Sequence, residues 1–238
     1  MPRKLWVEED AKSEIGQIRE KMKASDQRRW GFTELELLFV VLGVIFLAMV
    51  AIGLILPSFS GSHKAPRIRC ISNLKQIGLS FRLFSGDHGE KFPMSISIHD
   101  SGTMELLTNG DVLPHFLAIS NELNSPKVLT CPGDKRPKPA KDFSVLTKKH
   151  ISYFVSPEAN ETQPQSLLSG DRNITTNVRI TSGIFVLTTN SEVAWTKDIH
   201  HHAGNVGLGD GSAEQDSEIA LRKRVHDSPT LPIRLVIP

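Results

Sequence analysis

The chain has 238 residues, enough for one membrane segment plus one medium domain. With 39% hydrophobic and 23% charged residues it is neither a disordered nor a multi-span chain, and a net charge of +2 gives no ground for a general nucleic-acid binder. The charge is uneven: Met1 to Gly31 carries eight Lys/Arg and six Asp/Glu, whereas Phe32 to Pro238 carries twenty of each, so the basic excess precedes the first apolar run.

That run, Leu37 to Leu56 (LLFVVLGVIFLAMVAIGLIL), contains no charge and no proline. At a helical rise of ~1.5 Å per residue, its length covers about 30 Å, the thickness of a bilayer's hydrocarbon core. The alternative is a buried core helix, against which length and lack of charge both count. A secretory signal fits poorly too. Small residues follow in PSFSGSHKAP, but the run is too long and Glu34 and Glu36 sit at its start. Orientation is nearly tied by positive charge, with Arg19, Lys21, Lys23, Arg28 and Arg29 on one side and Lys64, Arg67, Arg69 and Lys75 on the other. Arg28 and Arg29 lie nearest the span and favour a cytoplasmic N-terminus.

Beyond the span, Cys70, Leu74, Ile77, Phe81 and Phe84 recur at helical spacing and predict an amphipathic helix, stopped by Gly86, Gly89 and Pro93. Gly61 and Pro66 interrupt the path from the span, so the reading is one long N-terminal helix, kinked there or not, whose second half packs on a globular domain. Cys70 and Cys131 both follow the span. If that part is exported they are expected to form one disulfide, closing a loop of about sixty residues worth ~4 kcal/mol in the chain-entropy picture. The other reading is two unrelated buried thiols.

Short strands are expected at Lys127 to Thr130, Ile151 to Val155, Gly183 to Thr188 and Asn205 to Gly209. Pro132 to Lys141 is a basic, proline-rich surface loop, and Asp216 to Val225 is a short helix with acidic residues early and basic residues late, as a helix dipole prefers. The fold class is therefore α+β. Asp210-Gly211 predicts a tight turn joining two strands. His200, His201 and His202 are read as a polar loop, because three adjacent residues cannot all face one ion from a strand. G-x-S-x-G, a P-loop and G-x-G-x-x-G are absent, and Gly207-x-Gly209 belongs to a predicted hairpin. No enzyme and no resident cofactor is expected.

The stretch Gly31-Phe32-Thr33-Glu34-Leu35-Glu36-Leu37-Leu38 resembles the prepilin cleavage and methylation motif of type IV pilins and type II secretion pseudopilins. The resemblance implies cleavage between Gly31 and Phe32 by a prepilin peptidase, methylation of the new Phe32 amine, and a filament-assembly role for Glu36. Glu34 departs from the pattern, since that position is usually apolar. Met22 offers an alternative start with a short basic leader, MKASDQRRWG. Three further stretches resemble the G-like secretion branch: NLKQIGL with DHGEKFP, KVLTCPGD, and His200 followed after nine residues by Asp210-Gly211. The implied organisation is a type IV pilin-like fold in which a long N-terminal helix, transmembrane in its first half, packs on a small antiparallel sheet. Residues 1–31 would be a leader, 32–57 the span, 58–90 the amphipathic half and 91–238 the exported periplasmic domain. Implied partners are copies of itself in a filament, the peptidase and an inner-membrane assembly platform. Some relatives bind calcium in a C-terminal loop, which makes Asp171 and Asp210 candidate calcium ligands. The alternative is a membrane-anchored exported module that binds polysaccharide or protein.

Overall fold

The computed structural model describes residues 33–59, 64–178 and 182–238, together with Gln17 and Arg19. The leader, the Met22 start and the cleavage pair Gly31 and Phe32 lie outside the described residues. The chain divides into two units, Met1–Phe59 and Ser60–Pro238.

The first unit carries helix α1, Glu34–Phe59. It is apolar all round, and Glu34–Gly53 has a mean hydropathy of 2.9 with none of those residues buried. It is long and apolar enough to cross a membrane. The expected joining of this helix to the next falls on residues 60–63, outside the described residues.

The second unit opens with α2, Lys64–Asp87. Pro66 falls in its first turn, where its missing N–H costs no helical bond. The predicted stripe is the buried face: Cys70, Leu74, Ile77 and Phe81 are wholly buried and Phe84 nearly so. Two short helices follow, α3 (Leu113–Ala118) and α4 (Ser120–Leu123), among several 3-10 turns. Strands β1 (Tyr153–Val155), β2 (Leu167–Asp171), β3 (Ile174–Thr176), β4 (Ile184–Leu187), β5 (Val193–Trp195), β6 (Gly204–Leu208) and β7 (Ala213–Asp216) precede α5 (Glu218–His226) and β8 (Ile233–Val236). Six strands form an antiparallel sheet in the order β4-β8-β1-β2-β6-β7, and β3 pairs with β5 apart from it.

Both faces of the sheet are covered, because side chains alternate along a strand. Tyr153, Val155 and Leu168 join the core under α2, with Phe81 edge-on to Phe92 at 5.8 Å. Phe154, Leu167, Val206 and Leu208 join a second core with Trp195, Leu221 and Val225 on the opposite face. Helix α5 is capped by Ser217, whose hydroxyl accepts from the Ala220 N–H, and carries the predicted charge order from Glu218 to Lys223 and Arg224. One strand expectation is corrected. Pro126–Leu129 is a 3-10 turn, not a strand, because Pro126 supplies the fixed φ of a turn's first residue. The three other predicted strands form, as β1, β4 and β6.

Candidate functional site

Three places hold the residues singled out by sequence. The first is the start of α1. The Thr33 hydroxyl accepts from the Glu36 N–H at 3.3 Å, and the Glu36 carboxylate accepts from the Thr33 N–H at 3.0 Å. The Leu37 N–H then donates to the Thr33 carbonyl, opening the helix. This reciprocal pair is a capping box, and T-x-x-E before an apolar run is its sequence signature. Glu34 lies in the same first turn, where the helix dipole favours negative charge. The glutamate that departs from the pilin pattern therefore has a local physical role. The signal for this cap is local and stands in Thr33-Glu34-Leu35-Glu36, ahead of the apolar run.

The second place is the hairpin of β6 and β7. Asp210 and Gly211 form its turn, as expected: the Asp210 carboxylate accepts from the Ser212 N–H at 2.8 Å, and Gly211 has φ +81°. A Cβ added at Gly78 would meet the Gly211 Cα at 2.9 Å, so the glycine of NLKQIGL and the glycine of the turn permit α2 to touch the hairpin. Arg82 adds a hydrogen bond to the Asp210 carbonyl at 3.1 Å. Asp210 thus serves turn and packing. The candidate calcium pair is not assembled: Asp171 ends β2 beside Asn205, whereas Asp210 lies past Leu208, at the far end of the same strand pairing.

The third place lies under α2. Cys70 and Cys131 form a disulfide with Cα atoms 5.1 Å apart, which pins α2 to the segment after the Pro126 turn. Against it sits His200, with Nε2 at 3.4 Å from Cys131 Sγ and 3.5 Å from the Asp171 Oδ2. The polar-loop reading of the three histidines is corrected at this residue. His201 and His202 are exposed, while His200 is 92% buried, its 8% exposure being the decisive difference. All three have positive φ, a tight turn that directs only the first inward. The Asn173 amide braces this turn by donating to the carbonyls of Thr196, Ile199 and Ala203 at 2.9, 2.9 and 3.2 Å. The Arg67 guanidinium donates to the His200 carbonyl.

Asp171 is wholly buried. Its Oδ2 accepts from the Asn205 N–H and side-chain amide, both at 2.8 Å, and its Oδ1 has no hydrogen-bond partner among the described residues. Burial pushes its carboxyl up to about 7, against the pull of the Asn205 bonds. Burial also lowers His200 to about 4, helped by the Arg67 charge, so the imidazole is neutral. Cys70, Cys131, Asp171 and His200 each present a ligand atom, all within 4.8 Å of one another. Beside them Asp134 and Arg172 make a buried two-point ion pair, both contacts 2.6 Å. The sequence offered Asp171 and His200 only in separate contexts, and their meeting with the cysteines depends on the pairing of β2 with β6.

The chain matches no protein-family model, no curated protein and no solved structure.

Proposed function

We propose that this chain is a structural subunit of the prepilin type, cleaved after Gly31, methylated at Phe32 and assembled through α1 into a secretion or pilus-like filament. The observation that carries the reading is an apolar helix, exposed from Glu34 to Gly53, whose first turn holds a carboxylate and which follows Gly31-Phe32 in the sequence. An exposed apolar surface of this length needs a lipid or protein environment to cover it. In a bilayer α1 would anchor the subunit with its N-terminus cytoplasmic. In a filament, neighbouring α1 helices would bury one another. There the Glu36 carboxylate would meet a neighbour's Phe32 ammonium and set the register of each incoming subunit. The pilin-like arrangement is supported further by the packing of α2 on β2, β6 and β7.

The capping box makes the assembly role of Glu36 separable from its local role. Glutamine also serves at the third position of a capping box, so Glu36→Gln keeps the helix start and removes the charge. The expected outcome is normal anchoring with loss of filament incorporation, read by cross-linking and by yield in a sheared preparation. Incorporation at the wild-type level would sink the assembly role. Mass spectrometry of the mature N-terminus tests the processing: methylated Phe32 is expected, and a chain still beginning at Met1 or Met22 would refute it.

A second reading, a membrane-anchored module binding polysaccharide or protein, draws on an open cleft of about 400 Å³ beside the disulfide, lined by Arg69, Asn73, Lys127 and Pro137. Glycan-array binding that Lys127→Glu abolishes, together with unaltered filaments, would favour it.

A further inference from the structure

A disulfide by itself needs neither an imidazole nor a carboxylate beside it. Here both are present and buried, and one carboxylate oxygen, Asp171 Oδ1, has no hydrogen-bond partner among the described residues. A buried carboxylate oxygen without a hydrogen-bond donor keeps its lone pairs available to a ligand. Two thiolates, one neutral imidazole and one carboxylate are a ligand set that suits zinc, which takes four such groups in a tetrahedron. Hard ions such as calcium prefer oxygen donors alone.

The surroundings match what a metal site requires beyond its ligands. Asn205 donates twice to Asp171 Oδ2, the oxygen that lies 3.5 Å from His200 Nε2, and so holds the carboxylate against the imidazole. Asn173 fixes the turn that presents His200. The Gly133 N–H donates to Cys131 Sγ at 3.4 Å, a contact that also stabilises a thiolate. Arg67, bonded to the His200 carbonyl, offsets the net negative charge that two thiolates and a carboxylate leave around a divalent ion. Such outer partners orient ligands and raise affinity.

We propose that reduction of the Cys70–Cys131 disulfide opens a buried four-ligand zinc site made of Cys70, Cys131, Asp171 and His200. The bond between the two sulfurs breaks with uptake of two electrons and two protons from a dithiol reductant, which itself becomes a disulfide. Each thiol then loses its proton as zinc binds, and Asp171 loses its own where it carries one. His200 contributes the lone pair of Nε2. The same cysteines thereby tie α2 to the segment after the Pro126 turn in both redox states, by a covalent bond when oxidised and through zinc when reduced. This site is independent of the filament reading.

The test uses the full chain in detergent micelles, reduced with a phosphine and kept anaerobic, and titrated with zinc against a chromophoric chelator. One zinc per reduced chain is expected and none in the oxidised chain. Cobalt in place of zinc should show thiolate-to-metal charge transfer and the strong visible bands of a tetrahedral ion. His200→Gln and Asp171→Asn form the disulfide as wild type does when oxidised. After reduction each should weaken zinc binding by more than the ~10–100-fold that outer partners cost. Circular dichroism follows the fold alongside. A reduced chain that takes up no zinc, folded or unfolded, overturns the proposal, as does undiminished binding in both variants.

Discussion

Helix α1 and the Ser60–Pro238 unit are held together in opposite ways. From Glu34 to Gly53 no residue of α1 is buried, and its order comes from local terms: helical hydrogen bonds, the Thr33–Glu36 box and two glutamates at the positive end of the dipole. The second unit derives its order from distant partners. A disulfide spans 61 positions, a sheet pairs β1 with the C-terminal β8, and an apolar core covers each face. The difference teaches where each region is vulnerable. Perturbing long-range contacts should unfold the second unit and leave α1 helical, while perturbing the cap should loosen the first turn of α1 and leave the second unit folded.

The sharpest way to break this contrast is to remove the disulfide. In the metal-free state, Cys70→Ser with Cys131→Ser should destabilise the second unit by ~4 kcal/mol. Denaturant unfolding of tertiary signal would report it, and concurrent loss of α1 helicity in micelles would erase the contrast. Acid should act next. His115 is wholly buried, with Nδ1 2.7 Å from the Thr103 hydroxyl and Nε2 without a partner among the described residues, and burial lowers it to about 4. The unfolded chain therefore takes up that proton before the folded one. Its stabilising contribution is complete above about 6.5 and is lost as pH falls to about 4, a change of about 3 kcal/mol. Asp171 works the other way, since its raised value makes stability fall as pH rises through about 7. His115→Leu leaves Asp171 in place, so the difference between variant and wild type isolates the histidine. The wild type should lose stability relative to the variant across that window.

Smaller effects sharpen the contrast at single contacts. Gly78→Ala pushes a methyl against the Gly211 backbone and should cost about 2 kcal/mol in the second unit, read from its unfolding midpoint. Thr33→Ala removes half the capping box and should cost about 1 kcal/mol. Its mark should be faster hydrogen exchange in the first turn of α1 with an unmoved midpoint for the second unit. A shifted midpoint would mean that the two units share stability.

Much of this was legible in the chain because the signals are local. The buried face of α2 follows from Cys70, Leu74, Ile77, Phe81 and Phe84, the hairpin turn from Asp210-Gly211, and α5 from its charge order. Strand β2, Leu-Leu-Ser-Gly-Asp, was not legible, because its composition reads as a loop and its neighbours β1 and β6 make it a strand. Strand β8 was not legible either, because its four residues lie between Pro232 and Pro238, which read as strand breakers. Lys127 to Thr130 misled in the other direction, since a β-prone run yielded to the turn that Pro126 begins.

The sequence by itself determined the elements whose cause lies within one or two helical turns: the apolar length of α1, its T-x-x-E start, the α2 stripe and the turn glycine. Tertiary structure alone decided which distant polar groups meet. The pairing of β2 with β6 sets Asp171 beside Asn205, and the positive-φ turn braced by Asn173 points His200 inward while its two neighbours face solvent. Side-chain chemistry is written in the sequence, but the distance between two side chains is set by every element packed between them, and burial turns that distance into a reactive site.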